Sequence, residues 1–339
     1  MYPAEYQEIL EDQKVRCRLC PHYCLLNDGE PGKCNVRVNR GGRLVSEGYG
    51  ILSGISTDPI EKKPLYHFFP GSSILSIGGF GCNMTCDYCQ NYGISQIDHR
   101  TLTHHPIRDP GDIVNKAVLH RDNIGLAYTY NEPSVYYEYM YHCAGLIRDH
   151  GLKNVMVTNG YINREPLENL LPLIDAFNVD LKSMRNAFYR ERSGATLKPV
   201  LDTIQRIASS ESHLEITFLI IPGQNDTMKE WDEMIGWLSD HCGPDTVLHV
   251  SRYFPRYRLN APPTQLGTIN RFMKAARERL RFVYPGNVPS LESNTYCPVC
   301  GNLLIERNHY NARITGIDDS ANCTRCGHGI YGVFKNSNL

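Results

Sequence analysis

Three cysteines with a spacing that suits metal chemistry, Cys82, Cys86 and Cys89, lie in the segment SIGGFGCNMTCDYCQNYGISQ (76–96). A C-x3-C-x2-C loop can wrap three thiolates around one corner of a metal site, and thiolates are good ligands for iron–sulfur clusters and zinc. The loop contains no fourth cysteine. A [4Fe–4S] cluster held by three cysteines would leave one iron open to another ligand, whereas zinc would take a fourth protein ligand such as His99.

Two further sets of four cysteines precede and follow this loop, which we call the cysteine loop (82–89). The head set has C-x2-C-x3-C-x9-C spacing and comprises Cys17, Cys20, Cys24 and Cys34. The tail set has two C-x2-C-G pairs and comprises Cys297, Cys300, Cys323 and Cys326. The two other cysteines, Cys143 and Cys242, are expected to be buried small hydrophobic residues.

The two outer sets predict different kinds of metal site. Because paired C-x2-C knuckles close a tetrahedral site, the tail set predicts a zinc-ribbon or rubredoxin-like module with Zn²⁺, iron being the alternative. A closed four-thiolate shell has no open position for water or substrate, so we expect the tail site to be structural and separable from catalysis. The head set is compatible with either Zn²⁺ or a second iron–sulfur cluster.

The segments that must position these cysteines alternate between strand-like and helix-like patterns. Strands are predicted at 73–79, 124–130, 154–158, 176–180, 213–221 and 246–250. Helices are predicted at 133–150, 164–174, 184–193, 198–210, 227–240 and 266–280. The alternation predicts an α/β fold with a parallel sheet of six β-α units, forming an open or partial barrel. We place the barrel at 71–289, a cysteine-rich metal-binding extension at 1–70, and the tail module at 290–339.

Polar residues stand at the ends of several predicted strands, where parallel sheets collect ligands. Asn131 and Glu132 follow the second strand, and Asn131 is a candidate both for ligand binding and for capping the next helix. Asn159 belongs to an Asn-Gly pair after the third strand, a pattern that chiefly signals a turn. Asp180 and Lys182 are two residues apart on the fourth strand, so they point to the same face.

For the residues at the ends of the fourth and sixth strands, a structural role is the alternative to ligand binding. Asp180 and Lys182 would be costly in a packed barrel without a polar ligand, unless they form a salt bridge with each other. His249 on the sixth strand is either a satisfied polar core residue or part of a substrate-facing cluster with Ser251, Arg252 and Tyr253.

The cysteine loop, with Tyr88 directly before its last cysteine, resembles the radical S-adenosylmethionine (SAM) superfamily. The resemblance implies a [4Fe–4S] cluster on Cys82, Cys86 and Cys89, with the amino and carboxylate groups of SAM on the fourth iron. It also implies a partial barrel and an electron donor such as ferredoxin or flavodoxin. The reaction expected of such a protein is reductive cleavage of SAM to a 5′-deoxyadenosyl radical that abstracts hydrogen from a substrate.

Shorter motifs resemble one branch, the activating enzymes of glycyl radical enzymes such as pyruvate formate-lyase. The segments YTYNEP and DLK resemble SAM-contacting strand ends of that branch. The head and the segment GYGILSGISTDPIEKKPLYHFFPGS resemble the radical SAM protein of the AmmeMemoRadiSam system. Strand-end position and the resemblance together give six predicted cofactor-binding residues: Asn131, Glu132, Asn159, Asp180, Lys182 and His249. The branch implies a protein substrate, with a small molecule as the alternative.

Composition limits the remaining classes of function. The chain has 339 residues, 35 basic and 36 acidic, with a net charge of -1, so nothing in its charge favours nucleic acid or a membrane surface as partner. The amino terminus does not read as a signal peptide, and thirteen cysteines without a disulfide pattern suit a cytoplasmic protein. A non-catalytic multi-zinc scaffold is the alternative of a different class.

Overall fold

The structure is a computed structural model that describes residues 2–334. Its strands are β1 Tyr2–Pro3, β2 Gln7–Ile9, β3 Val15–Cys17, β4 Leu25–Leu26, β5 Arg37–Arg40, β6 Arg43–Ser46, β7 Gly54–Pro59, β8 Ser73–Gly78, β9 Asn123–Tyr128, β10 Lys153–Thr158, β11 Ala176–Asp180, β12 His213–Ile220, β13 Val247–Arg252, β14 Phe282–Gly286, β15 Thr295–Tyr296, β16 Leu303–Asn308 and β17 Asn311–Ile314. Its helices are α1 Tyr92–Ser95, α2 Pro110–Leu119, α3 Tyr137–Asp149, α4 Arg164–Leu170, α5 Asn186–Phe188, α6 Leu197–Ala208, α7 Met228–Cys242 and α8 Leu266–Ala276.

The central element is an eight-stranded sheet, in the order β7 to β14, within the described part of the chain. Strands β8 to β14 are parallel, and β7 runs antiparallel to β8. The α/β class and the parallel sheet predicted from sequence are confirmed. All six predicted strands are present as β8 to β13, and β14 adds a seventh parallel strand that was not predicted. The strand order is linear and β7 does not pair with β14, so the sheet does not close on itself, in agreement with an open or partial barrel.

Helices cover the outside of this sheet where the sequence predicts them, with local differences. Five predicted helices correspond to α3, α4, α6, α7 and α8. The predicted segment 184–193 forms the short helix α5, followed by a π-helical turn at Tyr189–Ser193. The short helix α1 and the helix α2 were not predicted. Apolar side chains of α6, such as Val200, Ile204 and Ile207, are fully buried, as the spacing of an amphipathic helix requires.

The head forms two three-stranded sheets, β1-β6-β5 and β2-β3-β4. Strand β7 does not belong to them, because it pairs with β8 over six positions, from Gly54 with Gly78 to Pro59 with Ser73. The barrel sheet therefore begins inside the segment that the sequence analysis assigned to the extension, before the expected boundary at residue 70.

The tail forms the sheet β15-β16-β17 and packs against the amino-terminal ends of β12, β13 and β14, which we call the barrel floor. Val333 donates to the carbonyl of His67 at 2.7 Å and accepts from Phe69 at 2.7 Å. Arg307 Nη2 donates to the carbonyl of Tyr66 at 2.6 Å. These bonds tie the tail to the segment that leads into β8, and the separation of the tail site from catalysis stays a prediction.

No helix of residues 2–334 is both long enough and apolar enough to span a membrane.

Candidate active site

The cysteine loop leaves the carboxyl end of β8 through a glycine-rich turn. At Gly81 the φ angle is +82°, and a Cβ atom would lie 2.3 Å from the carbonyl oxygen of Cys34, so only glycine fits this position. Beyond the turn, the backbone N–H of Thr85 donates to Ser193 at 2.9 Å and that of Asp87 donates to Arg192 at 3.0 Å. The loop therefore contacts the head on one side and the π-helical turn on the other. Helical irregularities of this kind often mark functional sites.

A cavity of about 440 Å³ lies beside this loop, at the carboxyl ends of the parallel strands. The three cysteines of the loop line it. Five of the six predicted cofactor-binding residues also line it: Asn131, Glu132, Asn159, Asp180 and Lys182. The sequence-predicted residues of strands β9, β10 and β11 are therefore brought together around one space, as expected for the active end of a barrel.

The sulfur atom of Cys82 is a hydrogen-bond acceptor in this cavity. The Met84 backbone N–H donates to Cys82 Sγ at 3.3 Å, and the side-chain amide of Asn159 donates to it at 3.7 Å. Asn159 also donates to Asn83 at 2.9 Å and accepts from the backbone N–H of Tyr161 at 2.9 Å. Asn159 therefore forms the turn that its sequence signals and also contacts a cysteine of the loop.

Asn131 and Glu132 have structural partners in the described chain. Asn131 accepts from Gly79 N–H at 3.0 Å and donates to the Gly81 carbonyl at 2.8 Å, so it holds the glycine turn. The helix cap proposed for Asn131 is instead Glu132, which accepts from the backbone N–H of Ser134 at 3.0 Å. Glu132 can cap because its backbone is extended directly before the turn that starts at Pro133.

Glu132 is also the most deeply buried carboxylate of the cavity wall. It accepts from Thr158 Oγ1 at 2.8 Å and from Asn159 N–H at 2.8 Å, and it is 2% exposed. Burial raises the pKa of Glu132 above its usual value, although these hydrogen bonds oppose the effect. A cation bound in the cavity would compensate the desolvation of this carboxylate.

Asp180 and Lys182 form an ion pair at the cavity wall, with Lys182 Nζ 3.1 Å from Asp180 Oδ2. Their side chains are 41% and 15% exposed, respectively. Burial lowers the pKa of Lys182, but the negative groups Asp180 and Cys86 outweigh burial and hold it well above its usual value. The predicted salt bridge is present, both residues also line the cavity, and their contact with a ligand stays a prediction.

His249 lies away from this cavity. Its Nε2 is 2.6 Å from Glu215 Oε2, its ring packs against Tyr66, and the residue is 1% exposed. Glu215 also contacts His213 at 2.9 Å and accepts from the backbone N–H of His67 at 2.7 Å. The structure therefore favours the alternative of a satisfied polar core residue for His249, and we withdraw it as a cofactor contact.

Residues 76–238 match the family model described as the radical SAM superfamily. The match begins in β8, contains the whole cysteine loop and includes every cavity-lining residue that the sequence analysis named. The chain belongs to the radical SAM superfamily. Members of this family are enzymes, and membership implies a [4Fe–4S] cluster and SAM.

Two curated relatives and two solved structures illustrate what this radical SAM protein is similar to. An uncharacterised protein of Methanocaldococcus jannaschii is 43% identical over 339 residues, 97% of this chain and 99% of that protein. A second uncharacterised protein of the same organism is 23% identical over 265 residues, 76% of this chain and 71% of that protein.

A radical SAM methyltransferase from Sphaerobacter thermophilus superimposes with a TM-score of 0.51 at 15% identity, covering 70% of this chain and 71% of that one. This likeness shows the fold. A domain of a pyruvate-formate lyase-activating enzyme from Bacteroides vulgatus has a TM-score of 0.43 at 16% identity, covering 48% of this chain and 99% of that one.

The residues in and around the cysteine loop fit a cluster with three thiolate ligands. Burial raises the pKa of Cys82 well above its usual value and also raises that of Cys89, and a bound metal would offset this cost of forming thiolates. Two N–H groups, from the Met84 backbone and the Asn159 side chain, already donate to the Cys82 sulfur and would stabilise it as a thiolate. His99, the residue named as fourth ligand in the zinc alternative, contacts Glu47 at 3.1 Å and does not line the cavity.

Sulfur spacing separates the tail set from the other two. Among residues 2–334, the tail set is the only group of at least three Cys, His, Asp or Glu whose ligand atoms all lie within 4.8 Å of one another. Sulfur pairs are 3.6 Å apart for Cys297 and Cys326, and 3.7 Å for Cys300 and Cys323. Four tetrahedral thiolates at about 2.3 Å from one metal ion are about 3.8 Å apart, so the tail geometry fits a single ion.

Charged residues from β7 and the following turn form a wall of the cavity that the sequence analysis missed. Lys63 Nζ lies 2.7 Å from Asp58 Oδ2, and the hydroxyl of Tyr130 donates to the same oxygen at 2.7 Å. Lys63 is 2% exposed, and Tyr130 has a φ of +71°, an uncommon backbone conformation for a bulky residue. The run DPIEKK has the composition of a solvated surface segment, so only the pairing of β7 with β8 reveals its position.

Proposed function

We propose that this radical SAM protein binds its cluster through Cys82, Cys86 and Cys89 and cleaves SAM reductively in the adjacent cavity. When bound, the cluster supplies one electron that splits SAM into methionine and a 5′-deoxyadenosyl radical, which removes a hydrogen atom from the substrate. The observation that supports this most is the convergence of the three cysteines and five polar strand-end residues on one cavity.

The residues of the chain would orient SAM. Asp180 and Lys182 both line the cavity. Asp180 would accept hydrogen bonds from ribose hydroxyl groups, and Lys182 would attract the SAM carboxylate. Glu132 offers negative charge to the SAM ammonium group, and Asn159 directs an N–H group to Cys82. The buried side of the cavity limits the access of water to the radical, which prevents side reactions.

A protein is the substrate class that we propose first. The support is the resemblance of YTYNEP and DLK to the branch that activates glycyl radical enzymes, where hydrogen is removed from a backbone glycine. The resemblance of the head to the AmmeMemoRadiSam protein supports a different protein or small-molecule partner. A reduced ferredoxin or flavodoxin would deliver the electron. Thirteen free cysteines, which need reducing conditions, favour the cytoplasm.

At the tail we propose one Zn²⁺ ion on Cys297, Cys300, Cys323 and Cys326, with iron as the alternative. The tetrahedral spacing of the sulfurs supports a single ion with a closed shell, which stabilises the tail sheet rather than reacting with substrate.

The test of the main proposal is anaerobic reconstitution with iron and sulfide, followed by reduction with dithionite in the presence of SAM. We expect a brown protein that forms 5′-deoxyadenosine. Replacing Cys82, Cys86 and Cys89 by alanine should abolish this product, whereas Cys143→Ala, at a buried lone cysteine, should retain it. A colourless wild-type protein that binds zinc alone would establish the scaffold alternative and refute the proposal.

A further inference from the structure

The head set lies directly beside the cysteine loop. The carbonyl oxygen of Cys34 occupies the space where a Cβ atom of Gly81 would be, one residue before Cys82. On the other side of the loop, His22 Nε2 donates to the carbonyl of Asn83 at 2.7 Å. The head set and the cysteine loop are thus joined by two direct contacts. Cys34 itself lies against the residue before Cys82, and His22, two residues from both Cys20 and Cys24, bonds to the residue after Cys82.

The four head cysteines are grouped, but more widely than the tail cysteines. The backbone N–H of Cys17 donates to the carbonyl of Cys24 at 2.9 Å, and the backbone N–H of Tyr23, directly before Cys24, donates to the carbonyl of Cys20 at 3.2 Å. Cys24 Sγ and Cys34 Sγ both flank Gly32, at 3.7 and 3.8 Å from the position of a Cβ atom there.

This spacing distinguishes a cluster from a single ion. Within residues 2–334, only the tail set brings at least three ligand atoms within 4.8 Å of one another, near the ~3.8 Å spacing of four thiolates on one ion, and the head set and the cysteine loop do not. Thiolates that each bind a different iron of a [4Fe–4S] cluster stand farther apart than thiolates that share one ion. The head set and the cysteine loop are therefore both more widely spaced than the tail set.

A buried arginine beside the head set has an unused donor. Arg37 is 1% exposed, and its Nη1 pairs with Glu138 at 2.7 Å. Its Nε–H group has no hydrogen-bond acceptor in the protein. The guanidinium lies close enough to Cys17 and Cys34 for their charges to interact. Cluster sulfide and cysteine sulfur accept hydrogen bonds, so a bound cluster would supply both the acceptor and the negative charge that this donor lacks.

We propose that Cys17, Cys20, Cys24 and Cys34 bind a second [4Fe–4S] cluster that relays single electrons to the cluster of the cysteine loop. The relay rests on the proposed function, whereas the metal assignment of the head does not. A reduced flavodoxin or ferredoxin gives one electron to the head cluster. The head cluster is then reoxidised as it passes that electron to the barrel cluster, and no bond is made or broken in the transfer.

The assignment is tested on the full chain in which Cys82, Cys86 and Cys89 are replaced by alanine. After anaerobic reconstitution we expect about four iron and about four sulfide ions per chain, and an electron paramagnetic resonance signal of a reduced cluster. The wild type should carry about eight iron ions, and Cys242→Ala should match it. Zinc in place of iron at the head would overturn the proposal. If the triple variant does not fold, a wild-type content of only about four iron ions would overturn it equally.

The relay is tested on the wild type by freeze-quench resonance spectroscopy after mixing with reduced flavodoxin. SAM alters only the barrel signal and so distinguishes the two clusters. We expect the head signal to appear first and to decay as the barrel signal grows; reduction of the barrel cluster before the head cluster would refute the relay. Failure of the proposed function is distinguishable, because it would appear as absence of 5′-deoxyadenosine with dithionite while the iron of the triple variant stayed unchanged.

Discussion

Replacing Lys182 by methionine should weaken SAM binding without unfolding the barrel. Methionine keeps the length and apolar stem of lysine and removes the charge. The partner left behind, Asp180, is 41% exposed, so water can solvate its carboxylate, and loss of this ion pair costs the fold at most about 1 kcal/mol. The unfolding midpoint in urea should therefore change little.

SAM affinity should fall much more than stability. Lys182 is 15% exposed and lines the cavity, and a charge-assisted contact with the SAM carboxylate contributes about 1–3 kcal/mol. The dissociation constant should rise by about 5- to 150-fold, since 1.4 kcal/mol is tenfold. Asp180→Asn, which keeps the shape of the side chain, should act in the same direction.

The assay is isothermal titration of SAM into cluster-loaded protein under anaerobic conditions. The exposed pair Lys198–Asp202 provides a matched control, because its side chains are 82% and 57% exposed and do not line the cavity. Lys198→Met should bind SAM like the wild type. Wild-type affinity in both Lys182→Met and Asp180→Asn would make this pair a structural salt bridge and refute its role in SAM binding.

Three further predictions concern the loop, the tail and pH. Asn159→Leu removes the N–H donor to Cys82, so the cluster potential measured by redox titration should fall by about 40 mV, the one-electron equivalent of ~1 kcal/mol, and an unchanged potential would refute this contact. Arg307→Met leaves the carbonyl of Tyr66 unpaired, so the free energy of unfolding should fall by about 1–3 kcal/mol in urea titrations, and wild-type stability would show that the tail does not support the floor. Burial lowers the pKa of His67 to about 3 from 6.5, so stability should be lost as pH falls from about 6.5 towards 3, by at most ~1.4 kcal/mol per pH unit, and His67→Gln should flatten this dependence.

The parallel strands could be predicted because their sequences carry strong local signals. Runs such as SILSIGG and HLEITFLII are rich in Ile and Leu and end at polar or glycine residues. The edge strands gave weaker signals. In β14 the sequence FVYPG contains Pro285, which demotes a strand pattern, and β7 reads GISTDP, with few apolar residues and a terminal proline.

A site residue could be predicted when its position on a strand determines which way it faces. It could not be predicted when a residue far away in the sequence determines its surroundings. Asp180 and Lys182 follow one strand end, so their shared face is readable from the sequence. His249 also lies near a strand end in the sequence, but its side chain is bound by Glu215, which is 34 residues away on the neighbouring strand β12. Lys63 reaches the cavity only because an antiparallel strand joins the sheet edge, a pairing that no local pattern signals.

The most direct measurement of the central claim is electron–nuclear double resonance on the reduced, cluster-loaded protein with isotopically labelled SAM. The claim is that Cys82, Cys86 and Cys89 hold a cluster whose fourth iron binds SAM itself. Labels of ¹⁵N in the amino group and ¹⁷O in the carboxylate of SAM should each show coupling to the cluster. An intact cluster that shows coupling to neither label would contradict the claim.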